Sequence, residues 1–170
     1  MKLTIAVTDA CIFIDLFDLD LITLFFNLNL EVHTTAAVYY ELYIEQQQVL
    51  KAYQSAERLK VHNLVEEDFI EIFSSNYPKS LSETDKSVLH VANRLNACVL
   101  SSDKVLRNCA KNKQIEYHGM IWIFDELVDS SILTPIEARI KLNQLITSNN
   151  IFRNNKQLAV EIEKRLKLWS

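Results

Sequence analysis

Glycine is almost absent from this chain of 170 residues, since Gly119 is the only one. Phosphate-binding loops of the Walker and dinucleotide kinds need several glycines, because the backbone must approach the phosphate oxygens closely. Both kinds of loop are therefore excluded. Any phosphate chemistry in this protein has to rely on side chains and metal ions.

Cysteine and histidine motifs for metal binding are also lacking. The chain has three cysteines and no Cys-x-x-Cys pair, which indicates small buried residues in a reducing compartment and predicts no structural zinc site. No two histidines have ligand spacing on one helix face, which favours structural or surface roles for His33, His62, His90 and His118.

Long apolar runs are missing as well. The apolar run over residues 21–26 is far shorter than the about 20 residues of a membrane-spanning helix, and Asp9 interrupts the N-terminal run too early for a secretory signal. The net charge of −4 argues against strong non-specific binding to nucleic acid, although metal ions can supply positive charge locally. We expect a cytoplasmic protein that does not enter a membrane.

The apolar patterning predicts one α/β domain with a helical tail. Short apolar strands alternate with helical patterns, which is typical of parallel strands joined by right-handed crossovers. The predicted strands cover residues 3–8, 31–34, 59–65, 97–101 and 115–118. One long helix is predicted from about residue 35 to 58. Its apolar face is formed by Val38, Leu42, Val49, Tyr53 and Ala56.

Four acidic residues lie where structural elements begin or end, or inside a helical pattern. Asp9 and Asp103 each close an apolar strand, Asp85 opens a helix and Glu41 lies within one. In a parallel sheet, acids at the carboxyl ends of strands converge in the crevice where ligands bind. Because like charges in one crevice repel each other unless cations neutralise them, the pattern predicts divalent metal ions and phosphodiester chemistry.

Each of these acids also has a structural alternative. Acids after strands often cap the next helix, which would account for Asp9 and Asp103 separately, and Asp85 lies three residues after Ser82, as in a capping box. Two such acids on neighbouring strands favour a functional site. Apolar and aromatic residues surround Glu41, so we expect it to be at least half buried and to need a partner such as a metal ion.

The remaining polar residues give weaker predictions. Asp15 interrupts the first apolar helix and is expected to be structural, whereas Asp125, Glu126 and Asp129 are expected on a solvated helix surface. The hydroxyl groups beside the strand ends can hydrogen-bond a carboxylate or a metal-bound water; they belong to Thr8, Ser101 and Ser102. Three basic residues with helical spacing form either a rim for substrate phosphates or a solvated face; they are Lys104, Arg107 and Lys111.

In their order and spacing these segments resemble the PIN-domain family of metal-dependent ribonucleases, most closely the VapC-like toxins and related stand-alone bacterial proteins. The segments that carry the resemblance are 7–16, 38–42, 81–85 with Ala92 after it, and 100–107. The resemblance extends from residue 3 to about residue 130. One departure from the family pattern is Cys11, which stands where the family often has asparagine.

This resemblance implies a three-layer α/β/α PIN-like domain with a central parallel sheet over residues 1–130, and a C-terminal helical extension over residues 131–170 packed on it. The family's acidic quartet, which binds Mg²⁺ or Mn²⁺ and hydrolyses phosphodiester bonds of single-stranded RNA, corresponds to Asp9, Glu41, Asp85 and Asp103. Supporting residues are expected at Thr8, Ser101, Lys104 and Arg107. The implied partners are RNA, a cognate antitoxin protein and a second copy of the chain.

Two other hypotheses stay open at this point. A phosphotransfer domain of the haloacid-dehalogenase type needs a second acid two residues after the first, where Cys11 stands; a receiver domain needs an acid pair at its first strand and a late lysine, and neither is clear. The other hypothesis is a PIN-like binding module with little catalysis that a protein partner regulates. The negative net charge and Cys11 favour it.

Overall fold

The computed structural model describes residues 3–170, which divide into two compact units. The sheet unit comprises residues 3–14 and 29–119 of this range, and the helical unit comprises residues 15–28 and 120–170. The boundary expected near residue 130 stays a prediction. No helix within the described range is long and apolar enough to cross a membrane.

The sheet unit contains a five-stranded sheet in which every pair of neighbouring strands is parallel. The strands are β1 (Thr4–Thr8), β2 (Leu30–Thr35), β3 (Leu59–His62), β4 (Cys98–Leu100) and β5 (Tyr117–His118). Their spatial order is β3-β2-β1-β4-β5, so the direction of winding reverses between β1 and β4. The predicted parallel α/β fold is confirmed, and the reversal marks the edge where such sheets bind ligands.

Eleven helices accompany the sheet in the described part of the chain. Those along the first 119 residues are α1 (Ala10–Asp18), α2 (Ile22–Phe25), α3 (Ala36–Glu41), α4 (Ile44–Ser55), α5 (Glu66–Ser74), α6 (Glu83–Leu95) and α7 (Lys104–Asn112). Those after residue 119 are α8 (Met120–Asp129), α9 (Pro135–Ser148), α10 (Asn150–Asn154) and α11 (Lys156–Leu168).

Helix α6 is the central helix of the sheet unit and packs against β1, β2 and β4. Three of its apolar positions recur at helical spacing and are fully buried; they are Val88, Val91 and Ala92. The predicted cap at its start is present, because the Asp85 backbone N–H donates to Ser82 Oγ at 3.0 Å. Packing and cap together hold the N-terminus of α6 at the carboxyl edge of the sheet.

The prediction of a single long helix over residues 35–58 is wrong, because the helix is interrupted between α3 and α4. Leu42 and Tyr43 are both extended, and two glutamine side chains satisfy the backbone there. Gln46 Oε1 accepts from the Tyr43 N–H at 3.1 Å, and Gln47 Nε2 donates to the Leu42 carbonyl at 2.8 Å. After the break Leu50 is the fully buried residue and the predicted Val49 is exposed.

A chain of hydrogen bonds joins strands β2 and β3 to the end of α6. The guanidinium of Arg94 can only donate, so its contact with His62 Nδ1 at 3.4 Å places the His62 proton on Nε2. His62 then donates to His33 Nδ1 at 2.7 Å, and His33 Nε2 donates to Glu31 Oε1 at 2.7 Å. The same Glu31 oxygen accepts from Lys60 at 2.8 Å. This histidine relay requires both rings to be neutral, and it gives these histidines the predicted structural role.

The helical unit agrees with the sequence pattern at two places and contradicts it at one. The segment Thr134-Pro135-Ile136-Glu137 has a sequence pattern typical of a helix start. Helix α9 begins there with a capping box, in which the Thr134 backbone N–H donates to Glu137 Oε2 at 2.9 Å and Thr134 Oγ1 accepts from the Glu137 N–H at 3.3 Å. Asp129 is exposed as expected. Asp125 is not a solvated residue, because Arg165 of α11 reaches it at 2.8 Å and both side chains are mostly covered.

Candidate active site

The acids at the two strand ends lie on neighbouring strands, at the point where the winding of the sheet reverses. Asp9 directly follows β1, and its backbone N–H donates to the carbonyl of Leu100, the last residue of β4, at 2.9 Å. Asp103 lies three residues after that strand and begins α7. The structure thus confirms the neighbouring position that made a shared site the favoured interpretation.

The Asp9 carboxylate is buried and held by three donors. Its Oδ1 accepts from the Ala10 N–H at 2.8 Å, and its Oδ2 accepts from Ser101 Oγ at 2.9 Å and from Cys11 Sγ at 3.3 Å. Burial raises the pKa of Asp9 above its usual value, and the charge of Asp85 raises it further, while the hydrogen bonds oppose this shift. The protein therefore fixes this carboxyl group in one orientation at a cost in free energy when it ionises.

Cys11 belongs to the hydrogen-bonding shell of Asp9. Its sulfur donates to the carboxylate, accepts from the Ser102 backbone N–H at 3.3 Å and lies 3.5 Å from Ser101 Oγ. Burial, with the neighbouring charge of Asp9, raises the pKa of the thiol to about 12. Cys11 is therefore a neutral donor that connects the first acid to the segment after β4, a role that the sequence alone did not reveal.

Asp85 and Glu41 lie on the other side of the site, at the ends of α6 and α3. Asp85 Oδ2 accepts from the Ser82 N–H at 3.3 Å, so the capping alternative for Asp85 is confirmed. Burial raises its pKa, with smaller contributions from the charges of Asp103 and Glu41. Glu41 is exposed, so the expectation of a buried acid is wrong; α3 ends at this residue, and its carboxylate accepts from Thr84 Oγ1 at 2.6 Å.

Asp103 also caps a helix, as its structural alternative predicted. Its Oδ1 accepts from the Leu106 N–H at 2.8 Å, and its own N–H donates to Ser101 Oγ at 3.1 Å. Ser101 therefore contacts the backbone of one acid and the carboxylate of another, since it also donates to Asp9. Capping and a place in the site are compatible, because the cap holds the carboxylate at a helix N-terminus.

Unfavourable charge interactions connect the four acids through Asp85. The charge of Asp85 acts on Asp9, and the charges of Asp103 and Glu41 act on Asp85. We call this group, Asp9, Glu41, Asp85 and Asp103, the acid cluster. All four belong to the sheet unit, and Asp85 lies at the centre of their interactions.

The donor atoms of the acid cluster fit a hard divalent cation in charge and chemical type. Two buried hydroxyl groups beside it, Thr8 Oγ1 and Ser102 Oγ, have no hydrogen-bond partner among residues 3–170. Within the same range no three histidine, cysteine or acidic side chains already converge in an arrangement that could hold a metal ion.

The basic residues after Asp103 differ from each other. Lys104 and Lys111 are exposed, as expected for a solvated face. Arg107 is partly covered, and its guanidinium stacks 5.0 Å from the centre of the Tyr117 ring. Arg107 thus has a fixed position near the end of β5, which the helical spacing could not show, and the substrate-binding role of Lys104 and Arg107 stays a prediction.

Comparison with known proteins places this chain in a family. Residues 5–167 match the family model DUF3368, described as a PIN domain, and no curated protein matches the chain. Two solved structures are similar. A domain of a functionally unknown protein from Methanocaldococcus jannaschii DSM 2661 is 27% identical, with a TM-score of 0.47 over 68% of this chain and 90% of that one. A PilT N-terminus domain protein, SSO1118, from Sulfolobus solfataricus P2 is 19% identical, with a TM-score of 0.42 over 75% and 93%.

The family match covers nearly the whole chain, including all four residues of the acid cluster and the shell around Asp9. The parallel five-stranded sheet is the α/β architecture expected of such a domain. This chain therefore belongs to the PIN-domain family, whose members are generally nucleases that depend on divalent metal ions.

Proposed function

We propose that this PIN protein is a metal-dependent endoribonuclease that hydrolyses phosphodiester bonds of single-stranded RNA. The observation that carries the proposal is the acid cluster, in which burial and neighbouring charges raise the pKa of Asp9 and Asp85. Such a cluster destabilises the fold when its members ionise together. A divalent cation would remove this repulsion, and family membership supports a nuclease.

The carboxylates of Asp9, Glu41, Asp85 and Asp103 would hold Mg²⁺ or Mn²⁺. The bound ion supplies Lewis-acid activation of water and stabilisation of negative charge on the phosphate. The side chains of this chain supply orientation: Ser101 and Cys11 hold Asp9, and the helix caps hold Asp85 and Asp103. Loss of a hydrogen-bond donor that orients a metal-binding residue commonly lowers metal affinity or activity about 10- to 100-fold.

Substrate binding is assigned to the basic residues that follow Asp103. Lys104 and Arg107 would contact the RNA phosphates, and stacking on Tyr117 limits the motion of the Arg107 side chain. Single-stranded RNA is the proposed substrate because an unpaired backbone can be drawn across an acidic, metal-filled crevice. Thr8 and Ser101 would hydrogen-bond the carboxylates or the bound water.

A toxin role is part of the proposal and rests on the resemblance to VapC-like toxins. In that role a small antitoxin protein would cover the acid cluster and block access of RNA. Association of two copies of the chain is proposed on the same ground. Size-exclusion chromatography with light scattering tests the homodimer directly, and the two-copy proposal fails if the purified protein is monomeric at every accessible concentration.

The nuclease proposal is tested by cleavage of end-labelled single-stranded RNA in Mn²⁺, Mg²⁺ or EDTA. The variants are Asp9→Asn and Asp103→Asn, and Asp129→Asn is the control that removes one exposed acid from α8. We expect cutting by the wild type and the control with metal, and none in EDTA or with either site variant. Cutting that survives EDTA or both site variants contradicts the proposal. No cutting by the wild type favours the alternative of a binding module regulated by a protein partner.

A further inference from the structure

Two tyrosines close in sequence to Glu41 of the acid cluster are strongly exposed. Tyr40 is 73% exposed and Tyr43 is 75% exposed. They flank Glu41, the residue at which α3 ends, and Leu42, whose side chain is buried. Tyrosine is a costly residue to leave in water, because most of its surface is apolar, and exposed aromatic groups commonly mark binding surfaces.

The segment that carries these rings is held firmly in place. Thr35 Oγ1 accepts from the Val38 N–H at 3.2 Å and lies 2.8 Å from Ser87 Oγ of α6, which ties α3 to β2 and α6. The Tyr39 hydroxyl donates to the Gln47 carbonyl across the helix break at 3.1 Å. The Tyr39 ring meets the Tyr40 ring edge-on, with centres 5.3 Å apart.

The break between α3 and α4 therefore has a consequence for the site. The glutamine side chains that cap it keep Leu42 and Tyr43 extended, so Tyr43 begins a new helix next to Glu41. The carboxylate of Glu41 is in turn held by Thr84 of α6, one residue before Asp85. Tyr40 and Tyr43 therefore lie within two residues of Glu41, and the hydrogen bond from Thr84 holds the carboxylate of Glu41 against α6.

Aromatic rings at the edge of a phosphodiester-cutting site suit unpaired bases. Stacking of a base on an exposed ring does not depend on the base, because every base has a flat π-face. A second exposed apolar surface is on α5: Phe69, Ile70 and Phe73 lie there among Glu66 and Glu71. Acids border both surfaces, since Glu45 follows Tyr43 in the first turn of α4, but Tyr40 and Tyr43 also adjoin Glu41 of the acid cluster, whose charge a metal ion would neutralise.

We infer that Tyr40 and Tyr43 form a stacking platform that holds bases of single-stranded RNA beside the acid cluster. This inference rests on the proposed nuclease function and adds the residues that position its substrate. The rings contact the bases and not the reacting phosphate, so they are positioning residues. Their loss should weaken RNA binding and raise KM while leaving kcat nearly unchanged.

The test measures binding of a short single-stranded oligoribonucleotide containing 2-aminopurine, whose fluorescence is quenched when the base stacks. The variants are made in the protein with an intact acid cluster, and Ca²⁺, which also takes carboxylate ligands, replaces Mg²⁺ to limit cleavage during the measurement. Tyr40→Ala and Tyr43→Ala are compared with Tyr40→Phe and Tyr43→Phe, which keep the ring. Phe73→Ala is the matched control, because it removes an 89% exposed aromatic ring from α5. In the cleavage-competent protein the same tyrosine variants are assayed for kcat and KM.

We expect each Tyr→Ala variant to weaken binding by about 5- to 100-fold and to lose fluorescence quenching, while the Tyr→Phe variants and the Phe73 control bind like the wild type. Normal binding and quenching in both Tyr→Ala variants would overturn the platform and leave the nuclease function standing. A wild type that neither binds nor cuts RNA would overturn the proposed function itself. Tyrosine variants that alter self-association but not RNA binding would assign the rings to a protein interface and so also overturn the platform.

Discussion

Asp9 and Asp15 are two buried acids only six residues apart in the chain, and their carboxylates have different hydrogen-bond partners. Asp9 is 5% exposed and Asp15 is 6% exposed, so burial alone does not separate them. Each has an acidic neighbour, Asp85 for Asp9 and Asp18 for Asp15, but Asp9, in the sheet unit, accepts three hydrogen bonds. Asp15, in the helical unit, accepts one from Asn149 at 3.0 Å, and its second oxygen has no partner among residues 3–170.

The difference distinguishes an acid whose carboxylate is held in one orientation by several hydrogen bonds, which we call a prepared acid, from an acid that is only buried. Hydrogen bonds that stabilise a carboxylate in one orientation are useful when the charged form has a task. Around Asp9 these donors include Ser101 and Cys11, whose own partners reach Asp103 and Ser102. Asp15 lacks such a shell, and burial raises its pKa to about 6. We therefore interpret Asp9 as the prepared acid and Asp15 as one that lowers stability.

The largest expected effect separates the two acids by metal binding. Saturating Mn²⁺ at one hundred times its Kd should stabilise the wild type by about 2.7 kcal/mol, because the ion binds only the folded state. Asp15→Asn should keep this gain and Asp9→Asn should lose it. Urea unfolding with and without Mn²⁺ measures the three differences. An equal gain in Asp9→Asn would show that the ion binds somewhere other than the acid cluster.

The next effect concerns the stability cost of Asp15. Its raised pKa means that the unfolded chain loses the proton first, so stability falls as the pH rises from about 4 to about 6 and stays lower above that. A shift of roughly two pH units sets an upper limit of ~3 kcal/mol. We expect Asp15→Asn to stabilise the protein by about 2 kcal/mol at neutral pH and to have no effect near pH 3.5.

Urea titrations of wild type and Asp15→Asn across this pH range check that prediction. Asp20→Asn is the control, because it removes an exposed acid just after the same helix, at a left-handed position that asparagine also tolerates. A stabilisation by Asp15→Asn that is the same at low and neutral pH would mean that the ionised carboxylate is not its cause.

A smaller effect is expected when the shell of Asp9 is weakened. Ser101→Ala removes the hydroxyl that donates to the Asp9 carboxylate at 2.9 Å. Hydrogen bonds to charged groups contribute about 1.5 kcal/mol or more, so this variant should be destabilised by about that amount at neutral pH. It should also raise the pKa of Asp9 further, because the lost bond favours the ionised form. NMR titration of the carboxyl carbon measures the pKa, and an unchanged value contradicts this role of Ser101.

The smallest expected effect comes from the histidine relay. Its pH dependence is opposite to that of Asp15, so the two contributions to stability have to be measured separately. Burial lowers the pKa of His33 and of His62 below the usual 6.5. The histidine relay therefore contributes fully above about pH 6.5 and is lost as the pH falls below that value. We expect His62→Gln, which cannot take up a proton, to lose about 1 kcal/mol at neutral pH and to flatten this decline.

The histidine prediction has a spectroscopic check that stability data do not give. Nitrogen chemical shifts distinguish the two neutral forms of imidazole. The relay requires the proton on Nε2 of both His62 and His33, because Arg94 can only donate. Protonation of the opposite nitrogen of His62 at neutral pH would contradict the assigned order of donors.

Local signals in the sequence predicted much of the fold. The strand pattern and the caps at Ser82 and Thr134 are confirmed, because each depends on residues close together in the chain. The single helix over residues 35–58 was wrong because no glycine or proline marks the break. The side chains of Gln46 and Gln47 satisfy the backbone at the break, but in the sequence these two glutamines resemble part of a solvated helix face.

The candidate site was predicted only in part, for a related reason. Acids at strand ends can be identified from the sequence, so the positions of Asp9 and Asp103 on neighbouring strands were expected. The exposure of Glu41 and the pairing of Asp125 with Arg165 were not, because both depend on helices that are distant in the chain. The role of Cys11 was missed because it depends on residues about ninety positions away.

The sequence by itself determined the parallel α/β class, the scarcity of glycine that excludes phosphate loops, and the acids at the strand ends. These follow from periodicity and residue chemistry, which act over a few neighbouring positions. Only the tertiary structure decided which acids share one electrostatic environment, which donors hold Asp9 and where the tyrosines become exposed. Burial and charge interactions depend on distances through space, and the order of the strands sets those distances.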